Sequence, residues 1–210
     1  MNKVLPFTTQ RFLNTPLTEQ DRELYCQLYC DKEVMKNIAP PLTREQANKG
    51  FDITLAQMKL DKPKIMAWMI TEKVSNKKIG FQALTWYQHK EAEADPIFNT
   101  HGQPEVGILL SNEVQGKGYA LEAMGSLMEY GYRYLSVETI HLYYYQSHRN
   151  TISFLKKLGA TLDLAKQPKD PAWQFQYVKK SDWHKKLITQ VLEKNPPDKY
   201  MEKSSLEIVE

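Results

Sequence analysis

Glu105 to Ala120 reads EVGILLSNEVQGKGYA, an apolar strand-like run, a polar corner, a glycine-bearing turn and then, with no spacer, the start of an amphipathic helix. This order creates an anion site. The first N–H groups of a helix lack intrahelical partners and the macrodipole adds partial positive charge, so a phosphate or diphosphate is stabilised there without a dedicated lysine. Gly116 and Gly118 remove side chains that would keep a ligand away from those groups.

The sequence beyond the turn extends the pattern. Ala120, Met124, Leu127, Met128, Gly131 and Leu135 recur at three- and four-residue steps, which predicts a helix from about Gly118 to Tyr134 with one face buried on a sheet. Thr139 to Tyr145, TIHLYYY, has the β-branched and aromatic composition of a strand. Asn150-Thr151-Ile152-Ser153 then opens a short helix, FLKKLGA, which ends at Gly159 in a C-cap position. Spacing excludes two other phosphate-binding turns. A P-loop needs Ser or Thr after its lysine, whereas Gly118 follows Lys117, and a dinucleotide-binding turn needs a glycine where Leu121 stands.

Gln115, Gly118 and Ala120 fit Gln/Arg-x-x-Gly-x-Gly/Ala, which resembles the coenzyme A signature of the GNAT superfamily of N-acetyltransferases. The order strand, turn, helix, strand, Asn-x-x-Ser helix, Lys-x-Gly-Ala is similar to its RimJ/RimL-like branch. Flanking segments extend the likeness to approximately Arg11 to Leu187. Thr18 and Asp21 begin one capped helix, and Thr43 and Gln46 begin another that runs to about Leu60. Ile65 to Thr71 and Ile79 to Trp86 flank Ser75 to Lys78 as a hairpin. Trp173 to Val178 reads as a further strand, and Lys180-Ser181-Asp182-Trp183 resembles the branch's terminal element. The resemblance implies an α/β (α+β) GNAT fold. Its sheet is mixed, mostly antiparallel, of six to seven strands, splayed between strands 4 and 5 (Glu105 to Leu110 and Thr139 to Tyr145), with helices on both faces.

Composition agrees with one compact domain over residues 1–194, followed by a Pro-rich and then charged tail over 195–210. The chain has 210 residues, 41% of them hydrophobic, enough for a large core. No apolar run approaches the ~20 residues of a membrane span, and the N-terminus lacks a signal-peptide pattern; the expectation is a cytoplasmic protein. A net charge of +3 with scattered Lys and Arg disfavours nucleic acid as a partner. Cys26 and Cys30, the only cysteines, lie four apart without further ligands nearby in sequence, which reads as reduced thiols and no metal site.

The resemblance implies transfer of an acetyl group from acetyl-CoA to a primary amine, either a protein N-terminus or a small amine such as an aminosugar or amino acid. The alternatives are a noncatalytic acyl-CoA-binding or partner-binding member, or an enzyme using a longer acyl-CoA; the protein would be a monomer or homodimer. The diphosphate falls to the backbone of Gly116, Lys117, Gly118, Tyr119, Ala120 and Leu121, with Gln115 bracing the turn. The pantetheine arm pairs along Ile108, Leu109 and Leu110, where one backbone N–H in the Val106 to Leu110 stretch serves as oxyanion donor, and Asn150 contacts the arm. Glu105 is the candidate base, the alternative being a surface carboxylate at a strand end; His148 is a second candidate base or an exposed loop residue. Ser153 occupies the place of a proton donor to the departing thiolate, while Asn150 could equally cap the helix. Gln88 to Gln103, with Glu91, Glu93 and Asp95, reads as a specificity loop or a solvated connector. Of Tyr143, Tyr144 and Tyr145, alternation lets at most two face a cleft.

Overall fold

The computed structural model describes residues 4–36, 38–86, 102–114, 116–146, 149–164 and 167–183. Two short strands, β1 (Phe7–Thr8) and β2 (Phe12–Pro16), lead through a 3-10 turn (Glu19–Asp21) into α1 (Arg22–Cys30), α2 (Lys32–Met35) and α3 (Arg44–Met58). The hairpin β3 (Ile65–Glu72) and β4 (Lys77–Thr85) and the strand β5 (Glu105–Leu110) precede α4 (Tyr119–Tyr134). After it come β6 (Thr139–Tyr145), α5 (Arg149–Lys157), β7 (Thr161–Leu162) and β8 (Trp173–Lys179). Among the described residues, eight strands form one mixed sheet in the order β1-β2-β3-β4-β5-β6-β8-β7, parallel only between β5 and β6.

The fold class is the one expected, with one strand more than the upper expectation. β1 and β7 are two residues long, too short to leave a periodic signature. Predicted capping appears where the sequence placed it. Thr43 N–H donates to Gln46 Oε1 at 2.8 Å and Gln46 N–H to Thr43 Oγ1 at 3.2 Å, and Thr18 N–H donates to Asp21 Oδ2 at 2.8 Å. The first helix nevertheless starts as a 3-10 turn, and α5 begins one residue before Asn150.

Helices α1 and α3 cover one face, where Tyr25, Cys26, Leu28 and Phe51 pack against Ala67, Met69, Phe81 and Leu109. Cys26 is buried with its thiol on Asn48 Oδ1 at 3.3 Å, and Cys30 is half-buried. Helix α4 covers the other face, with Met124, Leu127 and Met128 on Met66, Trp68 and Leu84 of one half of the sheet and on Ile140, Leu142 and Val178 of the other. A one-sided amphipathic helix was the expectation, but α4 is buried all round from Glu122 to Tyr132. Its polar positions are enclosed by other elements. Glu122 accepts from Thr9 Oγ1 and Arg11 N–H, Ser126 donates to Ala123 O, and Glu129 accepts from Trp183 Nε1 at 2.6 Å and pairs with Arg133. This explains the Lys-x-Asp-Trp element, whose Trp183 closes a buried acid that would otherwise be costly. Leu5, Phe7 and Trp68 fasten the N-terminal segment: Trp68 Nε1 donates to Leu5 O at 2.8 Å, and Phe7 stacks on Tyr130 at 5.1 Å.

The tail 195–210, and residues 88–101 of the connector with Glu91, Glu93 and Asp95, lie outside the described residues. Gly102 O accepts from Trp86 Nε1 at 3.0 Å, and Gln103 Oε1 from Thr139 N–H at 3.0 Å, which fixes the end of that connector beside β6. No helix among the described residues is long and apolar enough to cross a membrane.

Gly80 sits where β5 ends against β4, and a Cβ there would lie 2.2 Å from Leu109 O and 2.8 Å from Leu110 Cδ2. Gly80→Ala is therefore expected to lower unfolding free energy by about 2–3 kcal/mol, read as a lower urea midpoint at constant m. Gly107→Ala meets nothing within 4 Å and should shift stability by no more than about 0.5 kcal/mol.

Candidate functional site

The cleft begins where the sheet stops pairing. β4 and β5 are bonded along their whole length, Gly80 with Leu110 through Thr85 with Glu105, and β6 and β8 from Thr139–Lys179 to Tyr145–Trp173. Between β5 and β6, by contrast, the described residues pair only at Glu105 and His141, with His141 N–H donating to Pro104 O at 2.8 Å. Both strands run parallel away from that vertex, so their later residues separate in a V. The expected splay is present, and Val106 to Leu110 keep an edge free of β6. Such an edge is a template for an extended amide-bearing chain.

Alternation places Glu105, Gly107 and Leu109 on the face of α1 and α3, and Val106, Ile108 and Leu110 on the face of α4. Gly107 is exposed although β5 is central, and the space a Cβ would occupy is open to 4 Å. The floor of the V is therefore open on the α1 and α3 side, beside Glu105. Glu105 is half-buried at the vertex, and desolvation, the one cause acting on it, pushes its carboxyl up to about 8. At pH 7 a group titrating there is about one-tenth ionised. A carboxyl raised in this way suits a base working near neutrality.

At the wide end of the V stands the glycine turn. Gly116 and Gly118 have φ values of 77° and 71°, both left-handed, and Gly118 is the N-cap of α4. Nothing lies within 4 Å of a Cβ built on either. Tyr119, Ala120 and Leu121 open a 16-residue helix, whose first N–H groups lack intrahelical acceptors, as an anion site requires. This cradle fits a diphosphate, and the free edge of β5 leads from it to Glu105.

The structure brings together Glu105, Ile108, Leu109, Leu110, Gly116, Lys117, Gly118, Tyr119 and Ala120 along this line. Ile108 and Leu110 are half-buried, but Leu109 is buried against the α1 and α3 layer, so only its backbone can serve the arm. Asn150 falls in the first turn of α5, and Ser153 lies exposed on the same helix. Gln115 and His148 lie outside the described residues. Tyr144 is buried, with its hydroxyl bridging Gln174 and Gln176 at 2.7 Å each. Tyr143 and Tyr145 stay half-buried on the opposite face, stacked on Trp173 at 4.7 and 3.9 Å.

Sequence reasoning missed Arg11 and Glu122. Arg11 Nη1 donates to Lys117 O and Nη2 to Gly118 O, each at 3.1 Å, while its Nε pairs with the carboxylate of Glu122. The guanidinium lies over the Tyr119 ring at 4.4 Å, and the Tyr119 hydroxyl donates to Glu72. The only local signal was an acid in the first turn of α4, which reads as an ordinary helix-dipole partner.

Comparison with known proteins agrees with this geometry. The model of the acetyltransferase (GNAT) domain family matches residues 11–161. An acetyltransferase from Agrobacterium tumefaciens str. C58 superposes with a TM-score of 0.69 at 20% identity, over 86% of this chain and 97% of that one. A GNAT-family acetyltransferase from Bacillus anthracis gives 0.64 at 16% identity, over 84% and 99%. Spermidine N-acetyltransferase from Vibrio cholerae, solved with CoA and spermine, gives 0.63 at 13% identity, over 82% and 97%. At these identities the structures attest the fold.

The raised carboxyl has a thermodynamic sign. A folded-state value near 8 against an ordinary 4.5 means that this group's contribution to stability is complete below pH 4.5 and is lost as pH rises towards 8. Glu105→Gln, which mimics the protonated acid, should match wild type in Tm near pH 4.5 and exceed it increasingly up to pH 8. A difference that stays constant across that range would contradict a desolvated carboxyl.

Proposed function

The chain belongs to the GNAT acetyltransferase family, and from that premise we propose that it transfers an acetyl group from acetyl-CoA to a primary amine, in the manner of the RimJ/RimL-like branch and in the cytoplasm. The single observation that carries this reading is the unpaired edge of β5, which runs from an open helix N-terminus to a desolvated acid at the vertex.

The residues divide the work. Backbone N–H groups of Gly116 to Leu121 hold the diphosphate, and the free edge at Ile108 to Leu110 pairs with the amides of pantetheine. One N–H of Val106 to Leu110 receives the carbonyl oxygen as charge develops on it. The acceptor enters over Gly107, on the face of α1 and α3, because that side of the floor is open. Its nitrogen lone pair forms the C–N bond, its proton passes to Glu105 directly or through water, and the C–S bond breaks with the electron pair going to the coenzyme A thiolate. Ser153, exposed on α5, is the proposed donor of a proton to that thiolate, which is itself a fair leaving group.

The base and the acceptor constrain each other. An α-amino group titrates near ~8 and a lysine side chain near ~10.4, so a carboxyl at about 8 is matched to the first and weak for the second. This favours a protein N-terminus over a lysine side chain as acceptor. The neighbour crystallised with spermine adds small polyamines to the acceptors worth assaying.

Three measurements test the reading. Thiol release from acetyl-CoA should depend on an added amine, and CoA at a hundred times its dissociation constant should stabilise the protein by roughly 2.7 kcal/mol. Stabilisation without turnover on any amine would instead support a noncatalytic binder, and turnover only with longer thioesters a different acyl donor. With an acceptor amine that titrates well below pH 8, so that its own ionisation does not set the limb, kcat/KM of the wild type should show an acidic limb near pH 8, rising with pH as Glu105 loses its proton. Glu105→Gln should flatten that limb and reduce the rate by roughly a hundredfold; an unchanged limb would remove Glu105 as the base.

A further inference from the structure

We propose that Arg11 is a positioning residue that sets the conformation of the glycine turn, an inference that rests on reading that turn as the diphosphate site. Gly116 and Gly118 free the backbone of side chains, but the same freedom leaves the turn with little steric preference of its own. An external constraint has to select one conformation.

Arg11 supplies it through the geometry of the peptide bond. In a planar trans peptide, the carbonyl of one residue and the N–H of the next point in opposite directions. Holding Lys117 O therefore fixes the direction of Gly118 N–H, and holding Gly118 O fixes that of Tyr119 N–H. Arg11 holds both carbonyls, each at 3.1 Å, from the side of the β1–β2 turn. The two N–H groups are thereby turned away from Arg11.

The guanidinium is itself restrained on two sides. Its Nε pairs with Glu122, a carboxylate 3% exposed that also accepts from Thr9 Oγ1 and from Arg11's own backbone N–H at 2.8 Å. Its plane lies on Tyr119, whose hydroxyl is tied to Glu72. Because Glu122 neutralises it locally, Arg11 acts by its forked geometry more than by its charge. A lysine keeps the charge but offers one point donor in place of the fork, so it separates the two effects.

The test uses the full-length protein, with calorimetric titration of CoA and of pantetheine, which lacks the diphosphate. Arg11→Lys is expected to weaken CoA binding by about tenfold while pantetheine binding stays within twofold of wild type. KM for acetyl-CoA should rise more than kcat falls, and KM for S-acetylpantetheine should not move. Unchanged CoA affinity in Arg11→Lys, or an equal loss for both ligands, overturns the proposal. Should Arg11→Lys fail to fold, Glu122→Gln removes the charged anchor and retains the side-chain shape; it must show the same selective loss for CoA, of about threefold, or the proposal falls. A wild-type protein that ignores CoA but binds pantetheine would defeat the diphosphate reading itself, whereas normal wild-type binding with an indifferent Arg11 defeats only this inference.

Discussion

Everything in this molecule is arranged around a ladder that stops after one pair. At Glu105 and His141 the sheet is continuous, and beyond them β5 and β6 part. An interrupted ladder leaves backbone donors and acceptors without strand partners, a loss that most folds avoid by covering or pairing an edge. The interruption persists because the two halves of the sheet are joined by another route. Helix α4 lies under both, with Leu127 and Met128 in one cluster with Trp68 and Leu84 on one side and Ile140 and Val178 on the other. Burial of these side chains, at about 1.5–3 kcal/mol each, holds the halves together where hydrogen bonds do not.

The same helix carries a polar stripe, Glu122, Ser126 and Glu129, buried instead of solvated. Each acid is a fastening point for a segment distant in sequence: Glu122 for the β1–β2 turn through Thr9 and Arg11, Glu129 for the C-terminal end of the sheet through Trp183. Removing one partner of such an acid would leave an uncompensated buried charge, so these contacts specify where the outer segments dock more than they add stability. The turn at the head of α4 is thus hydrogen-bonded by a residue of the β1–β2 turn more than a hundred residues earlier.

What could be read from the sequence follows from which interactions are local. The span of α4, the whole of β6, the capping box of Thr43 and Gln46, and the left-handed glycines at 116 and 118 are written in residues a few positions apart. The two-residue strands β1 and β7 carry no period to detect. Arg11 and Glu122 carry no local mark of their roles, because the fold alone brings Arg11 to Lys117 and Gly118 and Thr9 to Glu122. Of the proposed chemical roles, that of the diphosphate turn is the one with a spelling in the sequence. The desolvation of Glu105 has none, because it depends on which segments close over the strand start.

That desolvation and the splay have one origin in the position of the first residue of β5. A strand start at a vertex is flanked on both sides by paired backbone, Thr85 on one and His141 on the other, so water reaches it from fewer directions than it reaches an ordinary strand end. Two residues further on the neighbour is gone, and Gly107 has no side chain to fill the opening. Over the length of one dipeptide the environment changes from dehydrated acid to open floor. An amine lying above Gly107 would be within reach of a carboxyl whose raised proton affinity comes from that dehydration, beside a backbone edge whose N–H groups lack a strand partner. General-base and oxyanion roles then need no additional element. As proposed roles, they rest on ending the ladder at the acid itself.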